Sequence, residues 1–379
     1  MDSSKRPNYV CIFPNLLNFQ LIKDVGMIPY TMAKYFNYNA LIVTYNNDKY
    51  SYLDQYMKDE NFNLNFIKKR FNNQRYDIII YLILKSRNID ILQVFHFHDT
   101  LNMLIYFLIY KSLNRNGKIY AKLDADYNLT SFLVEDNGFW PFVRNFILKY
   151  LVDCLSVETD QSYQRLINSK LNYAGKLICM HNGFDILLNG DDFKIGGKKN
   201  YITTVGRLGS KEKATEILLE AFSKIKNLKN WKLILIGEFE EQFQDYVCKY
   251  FKKYPHLREK VIFTGFIEDR KKIYQYYSET KIFCFTSRRE SFGIALVEAA
   301  YFGDYLVSTD VGGAKDVLKV TNYGELIEID NVNLLANRLG DLIENWQKYE
   351  NDPHQKMNLI EENFSWPHLC KKLYKKINE

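Results

Sequence analysis

Two runs of alternating apolar strands and amphipathic helices, split by one polar stretch, constrain this 379-residue chain more than any single residue does. In the first run Tyr9–Phe13, Ala40–Tyr45, Ile91–Phe97, Lys118–Leu123, Cys154–Val157 and Lys176–Met180 read as strands. A helix through Tyr30–Phe36 opens at Gly26, and Pro29 fits its first turn. Ile78–Leu84 fits a short strand or a helix end equally. After Asp185 the periodicity gives way to Leu-Leu-Asn-Gly-Asp-Asp-Phe-Lys-Ile-Gly-Gly-Lys-Lys-Asn, the composition of a linker.

The second run has strands at Tyr201–Val205, Trp231–Ile236, Val261–Phe263, Lys281–Phe285 and Tyr305–Ser308. Helices fall at Ala214–Ile225, Gln242–Tyr254, Arg270–Ser278, Phe292–Phe302, Val332–Tyr349 and His368–Ile377. Such alternation predicts α/β architecture: two Rossmann-like, doubly wound domains facing across a cleft. The expected division is 1–188, a linker at 189–200, a second domain at 201–362, and a last helix at 363–379 returning to the first domain. Ligands then belong at the carboxyl ends of the strands.

Length and composition exclude some classes. The chain is too long for one ordinary core, and its 47% apolar content supports globular folding. A net charge of +6 demands no nucleic-acid partner. The six cysteines form no CxxC and no zinc pattern, which fits a reduced, cytoplasmic protein. The longest apolar runs, Ile78–Leu84 and Met103–Tyr110, are far shorter than a membrane span. The amino-terminal residues lack a signal-peptide pattern.

Glu290-Ser-Phe-Gly-Ile-Ala-Leu-Val-Glu298 follows the strand Ile282–Phe285 and enters a helix. Two carboxylates so spaced lie at most about 12 Å apart along a helix, roughly the distance from sugar to ribose in a nucleotide-sugar. Backbone N–H groups of the first turn would face a diphosphate between them. Two solvated glutamates on an amphipathic helix fit the spacing as well. Val205-Gly-Arg-Leu-Gly-Ser-Lys-Glu-Lys213 also runs from a strand into a helix. Gly206 and Gly209 permit a tight turn, and Arg207 and Lys213 bracket it with positive charge suited to phosphate. Lys211 is the alternative to Lys213, and a solvated basic turn is the plain reading.

These two segments, with Glu220-Ala-Phe222, Phe263-Thr-Gly-Phe266, Gly312-Gly313, Gly324, Phe364-Ser-Trp366 and Asn182-Gly-Phe-Asp185, resemble the donor-binding half of retaining glycosyltransferases of the GT-B fold, family-4 group. The resemblance covers about residues 176–370. It implies that Arg207 and Lys213 bind a donor diphosphate and Glu290 the donor-sugar hydroxyls. Backbone N–H groups of Ser291, Phe292 and Gly293 would assist, Glu298 would hold the ribose, and the backbone at Phe266 would meet the nucleobase. Gly206 would belong to the phosphate turn, Asn182 to the interdomain edge, and Gly26 would let the backbone approach the phosphates.

The chain departs from the pattern at Val25-Gly26-Met27, where two glycines are common, and by one extra residue between Arg207 and Lys213. Lys122-Leu-Asp124 stands where the family usually has a histidine. Asp124 is the substitute candidate for the sugar contact. The resemblance further implies retention of configuration, no cofactor and no metal. The partners implied are a nucleotide-sugar, with UDP favoured, and a glycan, lipid-linked saccharide or protein acceptor.

His96-Phe-His98-Asp99 fits part of a metal site, a cleft-facing His98 or a structural histidine. Phe62–Arg87 mixes basic and aromatic residues; a solvated helix face beside a buried strand is the plain reading, and a surface resting on anionic lipid or a single-stranded nucleic-acid contact are the alternatives. The expected location is therefore cytoplasmic, with peripheral contact at the inner membrane face. The competing function classes are a non-catalytic GT-B-like partner that binds glycan or stabilises another transferase, a sugar-nucleotide epimerase, and a glycoside hydrolase using the Glu290 and Glu298 pair.

Overall fold

The computed structural model describes residues 6–95, 100–124, 134, 138–169, 173, 175–185 and 197–379. The chain divides into two compact units, Met1–Gly183 with Trp366–Glu379, and Phe184–Ser365.

The first unit holds a seven-stranded, all-parallel sheet ordered β3-β2-β1-β4-β5-β6-β7. The strands are β1 (Asn8–Ile12), β2 (Asn39–Thr44), β3 (Phe62–Phe66), β4 (Ile91–Phe95), β5 (Lys118–Lys122), β6 (Cys154–Val157) and β7 (Leu177–Cys179). Central strands such as β4, Ile-Leu-Gln-Val-Phe, are buried along their whole length, as helix-covered parallel strands must be.

The ambiguous run Ile78–Leu84 lies inside the helix Gln74–Lys85, started by Asn73, whose side chain accepts from the Arg75 N–H. The interleaved asparagines of β3 hid that strand from the sequence reading. It also splits the Phe62–Arg87 patch. Phe62 is buried in the sheet, while Phe66, Phe71 and Tyr76 are exposed. Residues 96–99, with His98, lie outside the described residues.

The second unit repeats the logic with six parallel strands ordered β10-β9-β8-β11-β12-β13. These are β8 (Tyr201–Val205), β9 (Lys232–Ile236), β10 (Val261–Gly265), β11 (Ile282–Phe285), β12 (Tyr305–Thr309) and β13 (Gly324–Ile327). Each strand order reverses direction once, between β1 and β4 and between β8 and β11, and the loops leaving those strands splay apart. The β13 strand and the helix Pro353–Phe364 were not anticipated. The helix start is nevertheless written as Asp352-Pro353: Asp352 caps the His354 N–H, and proline fits the first turn.

The final helix, Trp366–Asn378, buries Trp366, Leu369, Cys370, Leu373 and Ile377, an i, i+3, i+4, i+7, i+11 stripe. Within the first unit this stripe packs on the helix Asp24–Phe36, where Tyr374 stacks on Phe36 with ring centroids 5.0 Å apart.

Candidate active site

In the second unit, the loops leaving β8 and β11 meet because those strands are neighbours, although about 80 residues separate them in sequence. The first loop carries Gly206, Arg207 and Lys213, and the second carries Ser287 to Gly293. Lys213 Nζ donates to Glu290 Oε1, and the Ser287 hydroxyl donates to the same oxygen at 2.7 Å. Lys213 also lies over the Phe285 ring, 5.1 Å from its centroid. Both ends of this pair are mostly shielded, at 24% and 13% side-chain exposure, so their attraction is weakly screened.

Arg288 fastens the two loops together. Its guanidinium donates to Glu216 at 2.6 Å, Asp330 at 2.7 Å and the Lys211 carbonyl at 2.9 Å, and its N–H donates to the Glu212 carbonyl at 2.7 Å. The geometry therefore brings Lys213, and not Lys211, to Glu290.

Gly293 adopts φ +93° and caps the helix Ile294–Tyr301. The helix starts two residues later than expected. It therefore contributes only about 6 Å of rise up to Glu298, and loop supplies the remainder. Beneath this turn the Gly313 N–H donates to the Phe292 carbonyl at 2.7 Å. A Cβ on Gly312, at φ +55°, would lie 2.6 Å from that carbonyl oxygen and 2.9 Å from Glu290 Cβ. The glycine pair thus lets one backbone support another directly under the Glu290 loop. The Phe292 side chain is fully buried against Gly313, which leaves only its backbone for ligand contact.

Arg207 points outward at 65% side-chain exposure, with Glu240 at 3.6 Å and Glu212 at 4.0 Å, distances of loose surface pairing. Glu298 is buried and accepts from Arg270 and from the Tyr277 hydroxyl at 2.8 Å. Burial, followed by the Glu298 charge, pushes the Tyr277 phenol well above its ordinary value. A carboxylate has about four acceptor positions, so two such bonds leave room for a diol. Sequence reasoning missed Arg270, Tyr277, Ser287 and Arg288. Only Ser287 and Arg288 carried a signal, as members of the polar run Ser287-Arg-Arg-Glu290.

Phe266 follows β10 with its ring 67% exposed. It lines a cleft of about 840 Å³ with Thr264, Asp269, Lys272 and Tyr276. That cleft contains neither Lys213 nor Glu290 among its lining residues, so volume alone does not mark the charged junction.

In the first unit, Gly26 owes its missing side chain to packing: a Cβ there would lie 2.0 Å from the Leu21 carbonyl oxygen. Lys122 is fully buried, 2.7 Å from Glu158 and 3.6 Å from Asp24. Burial opposes its charge, but Glu158, Asp24 and Asp124 outweigh that and hold its pKa above the usual lysine value. Asp124 turns at φ +46°, tolerable for aspartate, with its N–H donating to Glu158 at 3.0 Å. Asn182 is buried, and its side-chain oxygen has no partner among the described residues. The acidic partners of Lys122 were not visible in the sequence.

Two Rossmann-like parallel sheets, the second bearing a charged junction at its switch point, define a glycosyltransferase-type GT-B fold. Residues 189–357 match the model for glycosyl transferases group 1. It is similar to Anabaena HepE in complex with UDP and glucose, with a TM-score of 0.71, 17% identity, and coverage of 98% of this chain and 100% of that one. It is 26% identical over 220 residues to the Campylobacter jejuni N-acetylgalactosamine-N,N'-diacetylbacillosaminyl-diphospho-undecaprenol 4-alpha-N-acetylgalactosaminyltransferase, over 56% of this chain and 58% of that relative. An uncharacterized glycosyltransferase of Methanocaldococcus jannaschii is 28% identical over 174 residues, 45% of this chain and 42% of the relative. The chain thus spans about half the length of these curated relatives.

Proposed function

We propose that this protein transfers a hexose-type sugar from a UDP-sugar to a hydroxyl of a lipid-linked or cell-surface saccharide, with retention of configuration and no metal at the donor site. The observation that carries the reading is the Lys213–Glu290–Ser287 junction beside the Gly293-capped helix. An ammonium has three N–H donors, so Lys213 can hold Glu290 and still meet phosphate oxygens. Breaking the glycosyl–phosphate bond builds negative charge on the departing diphosphate. Lys213, Arg207 and the N–H groups of the helix start neutralise that charge as it grows, which is why no metal is needed. Glu290 orients sugar hydroxyls, Glu298 the ribose, and the leaving phosphate oxygen takes the acceptor proton. Asp124, at the carboxyl end of β5, is the acceptor-side candidate in the first unit.

The comparisons support the substrate class. HepE is described in complex with UDP and glucose, and the Campylobacter relative is named for a diphospho-undecaprenol saccharide. No described helix is long and apolar enough to cross a membrane. A peripheral route to such an acceptor is supported by the helix Phe139–Tyr150, which exposes Phe139, Trp140, Phe142, Phe146 and Tyr150. Aromatic side chains of this kind favour the membrane–water interface.

The test offers the purified chain a panel of UDP- and GDP-sugars and follows donor hydrolysis and acceptor transfer by mass. One UDP-sugar should be consumed, and Glu290→Gln should lose most turnover while keeping its melting temperature. Absence of hydrolysis and transfer with every donor would favour the non-catalytic partner.

A further inference from the structure

The ends of β6 and β7 bring together three side chains that no step of glycosyl transfer uses. The two strands are parallel neighbours, with Val157 opposite Cys179. Chain leaving β6 reaches Asp160, the first residue of the helix Asp160–Ile167, whose start is fixed by Thr159 accepting from the Ser162 N–H at 3.1 Å. Chain leaving β7 carries Cys179 and, two residues on, His181. A spacing of two in extended chain places both side chains on one face, toward Asp160.

The separations are informative. Cys179 Sγ lies 3.5 Å from Asp160 Oδ1 and 3.5 Å from His181 Nε2, and His181 Nε2 lies 3.4 Å from Asp160 Oδ1. For an imidazole–carboxylate hydrogen bond 3.4 Å is long, since N–H···O bonds cluster near about 2.9–3.0 Å. The same triangle fits one face of a metal tetrahedron. With metal–ligand distances of about 2.3 Å to sulfur, 2.05 Å to nitrogen and 2.0 Å to oxygen, tetrahedral Zn²⁺ sets edges of about 3.5 Å (S–O), 3.6 Å (S–N) and 3.3 Å (N–O). All three observed edges agree within about 0.1 Å.

We propose that Asp160, Cys179 and His181 form a site for one Zn²⁺ ion. The donor set selects the metal class. A thiolate excludes Mg²⁺ and Ca²⁺, which take oxygen ligands, and a mixed S, N, O tetrahedron suits the borderline-soft d¹⁰ ion. Binding replaces the Cys179 thiol proton with the metal. The half-exposed Asp160 side leaves the fourth position to water. The ion joins the start of one helix to the segment leaving the neighbouring strand, and that segment continues directly into Asn182. Its role is to hold this turn, and it supplies no step of the transfer reaction. The residues escaped the sequence reading because the motif is split, with Cys-x-His on one strand end and its carboxylate 19 residues earlier.

The test uses the full chain, stripped with a chelator and titrated with Zn²⁺ against a chromogenic competitor. One equivalent should bind and raise the melting temperature. Cys179→Ser and Asp160→Asn should each weaken binding at least about tenfold, the scale at which even supporting residues of a metal site matter. Cys248→Ser, at an exposed cysteine elsewhere, should leave binding unchanged. Co²⁺ should give a thiolate charge-transfer band that Cys179→Ser removes. Circular dichroism checks that each variant is folded, and Asp160→Asn keeps the test decisive if Cys179→Ser fails to fold. Zinc binding equal in the parent and the folded variants, or no zinc bound by the parent, overturns the proposal.

Discussion

Replacing Glu298 by glutamine tests whether the second glutamate of the Glu290–Glu298 motif holds structure as well as ligand. Its carboxylate is 10% exposed and meets an Arg270 side chain that is 9% exposed. The Arg270 Nε already has no partner among the described residues. Glutamine keeps the shape but removes the negative charge, leaving a buried guanidinium uncompensated. Breaking a buried ion pair from one side costs about 3–5 kcal/mol. For a folding unit of this size, about 2–4 °C per kcal/mol gives a fall in melting temperature of about 6–20 °C. Removing all three partners, as Arg270→Met, Tyr277→Phe and Glu298→Leu together, deletes the desolvation penalty along with the attraction. This triple variant should recover most of the loss. Scanning fluorimetry with and without UDP separates the two roles, because a ribose contact predicts that the recovered triple variant still binds UDP weakly. If Glu298→Gln melts within about 2 °C of the parent, a shift of at most about 1 kcal/mol, the pair is not structural.

Lys213→Met should lower donor turnover by about 10²–10³-fold with little change in melting, as expected for loss of one charge-stabilising donor; a change below tenfold in a kinetic assay would remove Lys213 from the reaction. Burial pushes the Asp304 carboxyl up to about 7 despite its Lys198 partner, and Asp304 Oδ2 has no partner among the described residues. Its folded value exceeds its unfolded one, so its contribution is complete below about pH 4 and is lost as pH rises toward about 7. Melting curves across that range should show the parent losing stability relative to Asp304→Asn, and parallel profiles would contradict this. Changing Phe139, Trp140 and Phe142 together to serine should release the protein from lipid vesicles in a sedimentation assay without lowering its melting temperature, since all three are exposed.

The sequence by itself determined the order and kind of most elements, because apolar periodicity is a local property that survives without knowledge of neighbours. It likewise marked Glu290, Lys213 and the Gly312-Gly313 pair, whose positions at strand ends follow from that order. It missed β3 and β13, whose polar residues break the apolar pattern at sheet edges. It did not show that the backbone at Leu21 by itself requires glycine at position 26. Tertiary structure alone decided the partnerships. Arg270 reaches Glu298 across 28 residues, Glu158 reaches Lys122 across 36, and Cys179 reaches Asp160 across 19. The physical reason is the sheet. Parallel strands take neighbours by crossover connections, so side chains distant in sequence meet at the same carboxyl edge, and only strand order says which ones do.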